Sequence, residues 1–179
     1  MAFIDLRNEA HQIYLKANNL YDSKDYFVHI EMVEDLLIKH KKIFKLESDY
    51  NNTIIASWFH DVIEDCSTSY EDILEISNND VAAIVLAVTD VPAENRLVKH
   101  LLTMIKTVKD YRAIVLKLCD ILANTVYSKE HCNKMYFRYV KEYEYRRPIF
   151  TKALSWYSTN LNQENLNELL LELDEINQF

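Results

Sequence analysis

The 179-residue sequence contains no glycine. Ordinary chains carry about 7%, and glycine is required where backbone N–H groups crowd against phosphates, as in the Walker loop and the dinucleotide fingerprint. P-loop and Rossmann architectures are therefore excluded. Turns and helix ends must be built from Asn, Asp and Ser, and the pairs Asn18-Asn19, Asn51-Asn52 and Asn78-Asn79 fall where helical patterns break.

Apolar residues recur at helical spacing almost throughout, and no alternating run is long enough to propose a sheet. The expected fold is all-α. The spacing predicts helices over 2–17, 26–45, 51–64, 70–76, 79–89, 94–108, 111–126, 131–158 and 163–176. Pro148 should kink or split the eighth, because it lacks an N–H and clashes with the preceding turn.

Forty-nine per cent hydrophobic residues, with 27% charged residues spread along the chain, describe a soluble globular protein. The length suits one domain over 1–179 with a real core. No stretch approaches the roughly 18 apolar residues of a membrane span, and "MAFIDLRNEAHQIYL" lacks the pattern of a signal peptide. The expectation is a cytoplasmic protein. Cys66, Cys119 and Cys132 form no CxxC pair and read as reduced thiols. The formal charge of −8 argues against a nucleic-acid or anionic-membrane surface, since both need a basic stripe. An anionic substrate would need local cations or a metal.

"WFHDVIED", residues 58–65, places His60, Asp61, Glu64 and Asp65 at the end of an apolar run. On a continuous helix with His60 at zero, Glu64, Asp61 and Asp65 project at about 40°, 100° and 140°, opposite the core stripe of Ile55, Phe59 and Val62. A solvated helix end would account for this much. Ile54 and Trp58, however, project into or beside the acidic arc, so something apolar covers it. Carboxylates under partial cover repel one another and lose hydration, and a divalent cation is the economical counter-charge.

In "YRAIVLKLCDILANT", apolar residues surround Asp120 in nearly every direction, so Asp120 should be buried. A buried carboxylate is normally either salt-bridged or a metal ligand. His29 lies on the core stripe of "YFVHIEMVEDLL", either as a hydrogen-bonded core residue or as a ligand. His11, His40, His100 and His131 have no acidic partner at a suggestive spacing. Together, His29, His60, Asp61 and Asp120 come from three helices and could surround one ion with two imidazoles and two carboxylates. Mixed N and O ligation suits an octahedral first-row cation such as Mn or Fe better than a closed zinc site. Glu64, one turn after His60, would sit beside a metal-bound water as general base or acid.

The order His, His-Asp, distant Asp resembles the HD-domain metal-dependent phosphohydrolases. "HDVIED", "AVTDVPAENR" and "LKLCDILANT" are similar, in that order, to segments of the RelA/SpoT-homologue hydrolase branch, over about residues 20–130. The resemblance implies a compact HD-domain bundle, with 131–179 packing on that core. It implies Mn²⁺, or another divalent first-row metal, on His29, His60, Asp61 and Asp120, with Glu64 and Asp65 activating the attacking water. The implied reaction is hydrolysis of the 3′-pyrophosphate of (p)ppGpp to GDP or GTP and pyrophosphate. Asn124 matches a nucleotide-binding position; Lys24 and Arg96 are either phosphate contacts or solvated cations. Here "DSKDYFVHIEM" keeps only Lys24 of the basic residues usual before the first histidine, and Ile121 replaces a basic residue after Asp120.

Two other readings remain: an HD phosphatase on a deoxynucleoside 5′-monophosphate or NADPH, and a non-catalytic nucleotide-binding or protein-interaction module. The tyrosine-rich "MYFRYVKEYEYRRPIF" follows helical spacing and reads as core or dimer packing, with Arg146 and Arg147 a solvated or salt-bridged pair. The amphipathic C-terminus should dock on the bundle or on a second subunit, so a homodimer is possible.

Overall fold

The computed structural model describes residues 3–131 and 134–178; Cys132 lies outside them. The helices run α1 Phe3–Ala17, α2 Phe27–Lys39, α3 Glu47–Phe59, α4 Val62–Asp65, α5 Tyr70–Ile76, α6 Asn79–Val88, α7 Arg96–Thr107, α8 Tyr111–Glu130, α9 Met135–Trp156 and α10 Gln163–Ile176. The fold is all-α apart from a small hairpin between α1 and α2. Its strands β1 (Leu20–Tyr21) and β2 (Lys24–Asp25) are two residues each and pair antiparallel, Leu20 with Asp25 and Tyr21 with Lys24. Strands this short carry no readable alternation, which is why the sequence pattern does not show them.

The caps are made without glycine, as the composition requires. Asn78, Asn95 and Asp110 each accept a backbone N–H of the following first turn, and Ser69 and Asp72 form a reciprocal capping box. Among the described residues, three non-glycine residues take positive φ: Asn18 (55°), Asp22 (60°) and Ser67 (54°). Asn and Asp tolerate this region through local hydrogen bonding, whereas for Ser67, just past Asp65, the backbone costs on the order of 1 kcal/mol. Asn51 and Asn52, by contrast, lie inside α3 and break nothing.

α8 is the central element. It packs against α2, α3, α6, α7, α9 and α10, and it buries Ile114, Val115, Leu116, Leu118, Ile121 and Leu122 around its circumference. A helix that is apolar on all sides must be enclosed by others. α2 and α3 close one side, each contributing residues such as Ile30, Val33, Trp58 and Phe59 to one continuous core.

Three expectations about elements need correction. The 26–45 segment ends as an α-helix at Lys39 and continues as a 3₁₀ turn over Lys41–Ile43. The 51–64 segment begins earlier, at Glu47, and breaks after Phe59, where Asp61 takes φ −107°, ψ −2° before α4 starts. Pro148 lies inside α9 without splitting it. Among the described residues, no helix is long and apolar enough to cross a membrane.

Candidate metal centre

The break at His60-Asp61 builds the site. Because α3 stops, the helical projection fails after residue 60, and Asp61 swings onto the same ion-sized space as the two histidines. His60 Nε2 lies 3.3 Å from His29 Nε2 and 3.2 Å from Asp61 Oδ2. His29 Nε2 lies 3.6 Å from Asp61 Oδ2 and 3.3 Å from Asp120 Oδ1. Donor atoms of His29, His60 and Asp120 all fall within 4.8 Å of one another. Asp61 joins from the side, its Oδ2 also accepting the Tyr26 hydroxyl at 2.7 Å.

The donor chemistry fits a cation. His60 Nδ1 donates to the Ser57 carbonyl at 2.7 Å, which turns Nε2 into the cluster, where a metal would displace its proton. His29 and His60 are 1% exposed and Asp120 is 7% exposed, so solvent does little to screen the carboxylates. Burial opposes charge on each group, yet the ion-pair partners win. His60 is pushed up to about 9 by Asp61 and Asp120 against its own desolvation. Asp61 is held at about 2 by His60, and Asp120 well below the usual carboxylate range by Lys117, again against desolvation. In the metal-free protein, the His60 proton supplies part of the positive charge that a divalent ion would bring.

Asp120 is thus buried, as its apolar surroundings indicated, and it is both salt-bridged and part of the cluster. Lys117 Nζ sits 2.9 Å from Asp120 Oδ2. Asn124 Nδ2 donates to Asp120 Oδ1 at 2.6 Å, and the Tyr21 hydroxyl donates to Asn124 Oδ1 at 2.9 Å. Tyr21 also stacks on the His29 ring, with centroids 4.9 Å apart. Asn124 therefore fixes the Asp120 carboxylate while also facing the cavity.

A cavity of about 290 Å³ opens in front of the cluster, lined on one side by His29, Asp61, Glu64, Asp65 and Asp120. Glu64 and Asp65 have edges open to water, but they sit in a concave mouth where protein displaces much of it. Desolvation, helped by Asp61 and Asp90, pushes Glu64 up to about 7 despite Lys117; burial and Asp61 push Asp65 up as well. The Asp90 N–H donates to Glu64 Oε1 at 2.7 Å and fixes its orientation.

The lining also carries cations: Arg96 and Lys99 from α7 and Arg146 from α9, with the neutral imidazole of His100 among them, and Lys117 beside Asp120. Arg96 reaches the cavity already paired with Glu142, at 2.5 and 3.1 Å. Arg146 lies 3.3 Å from the same carboxylate, and its Nη2 is 2.7 Å from His100 Nδ1. Lys99 pairs with Asp90 at 2.5 Å. Lys24 lies outside this lining; its Nζ stands 5.4 Å over the Tyr127 ring.

Lys99, His100, Lys117 and Arg146 are not singled out by sequence reasoning. Lys117 was open to discovery, as a lysine one turn before an aspartate on a helix enclosed all round. Arg146 was legible only in part: Glu142 stands four residues before it on α9, but its neighbour His100 is brought to it by packing. Three histidines also lie beside acidic partners that spacing does not reveal: His11 beside Asp25 at 2.9 Å, His40 beside Glu172 at 3.2 Å and His100 beside Glu142 at 3.9 Å.

No protein-family model matches the chain. A guanosine-3′,5′-bis(diphosphate) 3′-pyrophosphohydrolase of Aquifex aeolicus (strain VF5) is 37% identical over 91 residues, which is 46% of this chain and 12% of that relative. The match therefore spans about an eighth of the relative's length. A solved structure described as a metazoan ortholog of SpoT that hydrolyzes ppGpp and plays a role in starvation responses superposes with a TM-score of 0.67 at 21% identity. That superposition covers 97% of this chain and 92% of the other. The chain has the fold of that structure.

Proposed function

We propose that this chain is a divalent-metal phosphohydrolase that removes the 3′-pyrophosphate of (p)ppGpp, with Mn²⁺ on His29, His60, Asp61 and Asp120. One observation carries the reading: a buried two-histidine, two-aspartate cluster and a set of cationic side chains line one cavity. A group rich in phosphates needs both, the cluster for the reacting phosphorus and the cations for the remaining charge. The Aquifex relative and the SpoT ortholog support the guanosine bis(diphosphate) substrate over other phosphates.

A bound divalent ion would lower the pKa of a coordinated water and withdraw charge from the phosphoryl oxygens. The chain's own groups do the rest. Glu64, held by the Asp90 N–H and titrating near neutrality, accepts a proton from the attacking water, and Asp65 shares that mouth. Lys99, Arg96 and Arg146 hold phosphate oxygens and so fix the direction of attack. Asn124 and Lys117 keep Asp120 ionised and oriented. Tyr21, Tyr26 and Tyr139, which also line the cavity, offer apolar faces toward a base.

The test is metal-stripped protein resupplied with Mn²⁺ and incubated with ppGpp, deoxynucleoside 5′-monophosphates and NADPH, with phosphate and pyrophosphate resolved separately. Pyrophosphate from ppGpp, lost in Asp61→Ala, is the expected result. Orthophosphate from one of the other substrates would move the site to that substrate. Nucleotide binding without turnover would make the chain a binding module.

A further inference from the structure

α7 is inverted for a helix lying on a bundle. Its buried positions are His100, Thr103, Met104 and Thr107, while Leu97, Val98, Leu101, Leu102 and Ile105 are 38–60% exposed. The cause is the cavity: α7 turns Arg96, Lys99 and His100 toward it, and the apolar half of the helix is left facing outward. Leu86 of α6 is 44% exposed and extends this surface, since its carbonyl accepts Lys106 Nζ at 2.6 Å. The remaining exposed large apolar residues among those described are dispersed over α1, β1, α2, the α2–α3 connection, α9 and α10. Single exposed apolar side chains need no explanation, but a contiguous face does.

We propose that this face joins two copies of the chain, α7 against α7, about a two-fold axis near Leu101. Three observations favour a second copy. The exposed positions of the face are all apolar, with the half-buried Lys106 at its edge turned onto the Leu86 carbonyl, although the chain as a whole has 27% charged residues, so the face needs a largely apolar counterpart. Among the described residues, the surface that meets this need is α7 itself, and self-pairing is the arrangement a two-fold interface requires. Residues 97, 101 and 105 form one i+4 ridge and 98 and 102 a second, so each copy's ridges can seat in the other's groove. The six apolar side chains offer on the order of 500 Å² per copy, and about 1,000 Å² for the pair is at the lower end of specific interfaces. The interface would back the cationic wall and hold it against the metal cluster without adding a residue to the cavity.

Sedimentation of the full chain over roughly 1–100 μM, where interfaces of this size associate, should give twice the 21.2 kDa chain mass. The double substitution Leu101→Lys, Ile105→Lys should halve that mass while the circular dichroism spectrum and melting curve stay those of the parent. Leu101→Cys should form a disulfide-linked dimer under mild oxidation, well above the parent and above Leu46→Cys, which is 57% exposed in the α2–α3 connection. A parent that stays at 21.2 kDa throughout overturns the proposal. So does a dimer that survives the lysine substitutions, or equal cross-linking from Leu46→Cys. If the lysine variant does not fold, the cross-linking comparison decides.

Discussion

The two walls of the cavity are held in place by different physics. The metal-type wall rests on the most enclosed part of the molecule. His29, His60 and Asp120 sit on α2, at the end of α3 and on α8, and their neighbours Ile30, Phe59 and Leu116 are fully buried. Its position is fixed by core packing, which tolerates little displacement. The cationic wall hangs on α7 and α9 and is positioned by ion pairs: Arg96 and Arg146 on Glu142, Lys99 on Asp90. A wall set by packing resists substitution around it but loses everything when a ligand goes. A wall set by ion pairs is adjustable, and each member carries a smaller, more separable share.

The largest expected effect therefore lies on the packed wall. His60→Ala should abolish stoichiometric metal uptake and reduce turnover on the order of 10⁴-fold, about 5 kcal/mol of barrier, measured by metal analysis and ppGpp hydrolysis. Retention of both would show that the cluster is structural only. Next, Glu64→Gln should lower kcat by about 10²–10⁴-fold with metal content unchanged. In the parent, activity should fall on the acid side of about pH 7 as the carboxyl is protonated, and that limb should be missing from the residual activity of the variant.

Arg146→Ala tests the adjustable wall. Its KM should rise about tenfold with kcat changed less, as expected when charge that binds ground and transition states alike is removed. A loss confined to kcat would place Arg146 with the reacting groups instead.

The smallest effect is on stability. His100 is pushed down to about 4, chiefly by burial and then by Arg146. The unfolded imidazole takes up a proton near pH 6.5 while the folded one resists until about pH 4, so the folded state binds fewer protons in that window. Stability is therefore full above about pH 6.5 and declines as pH falls toward 4. Urea unfolding at pH 7 and pH 5 should show a loss on the order of 1–2 kcal/mol that His100→Asn reduces. An equal loss in the variant would assign the pH dependence to other groups.

The sequence was most legible where chemistry and local pattern coincide. The all-α fold follows from periodicity, and the buried Asp120 follows from apolar residues on every side of it. Zero glycine foretold caps made by Asn78, Asn95 and Ser69. The helix break after Phe59 was not legible, because "ASWFHDVIED" is helical in pattern on both sides and contains no Gly or Pro to mark a turn. The break is a tertiary choice that brings Asp61 to the histidines. Pro148 shows the converse, a helix-breaking residue that stands inside a continuous 22-residue helix.

What the sequence determined by itself was an enclosed helical bundle and the donor types of its metal-type cluster, since burial and periodicity are carried by neighbours along the chain. The cationic wall was decided only by tertiary structure. Arg96 and His100 on α7 meet Glu142 and Arg146 on α9 across 46 residues of sequence separation, and no short-range pattern encodes which charge of one helix will be turned toward the other.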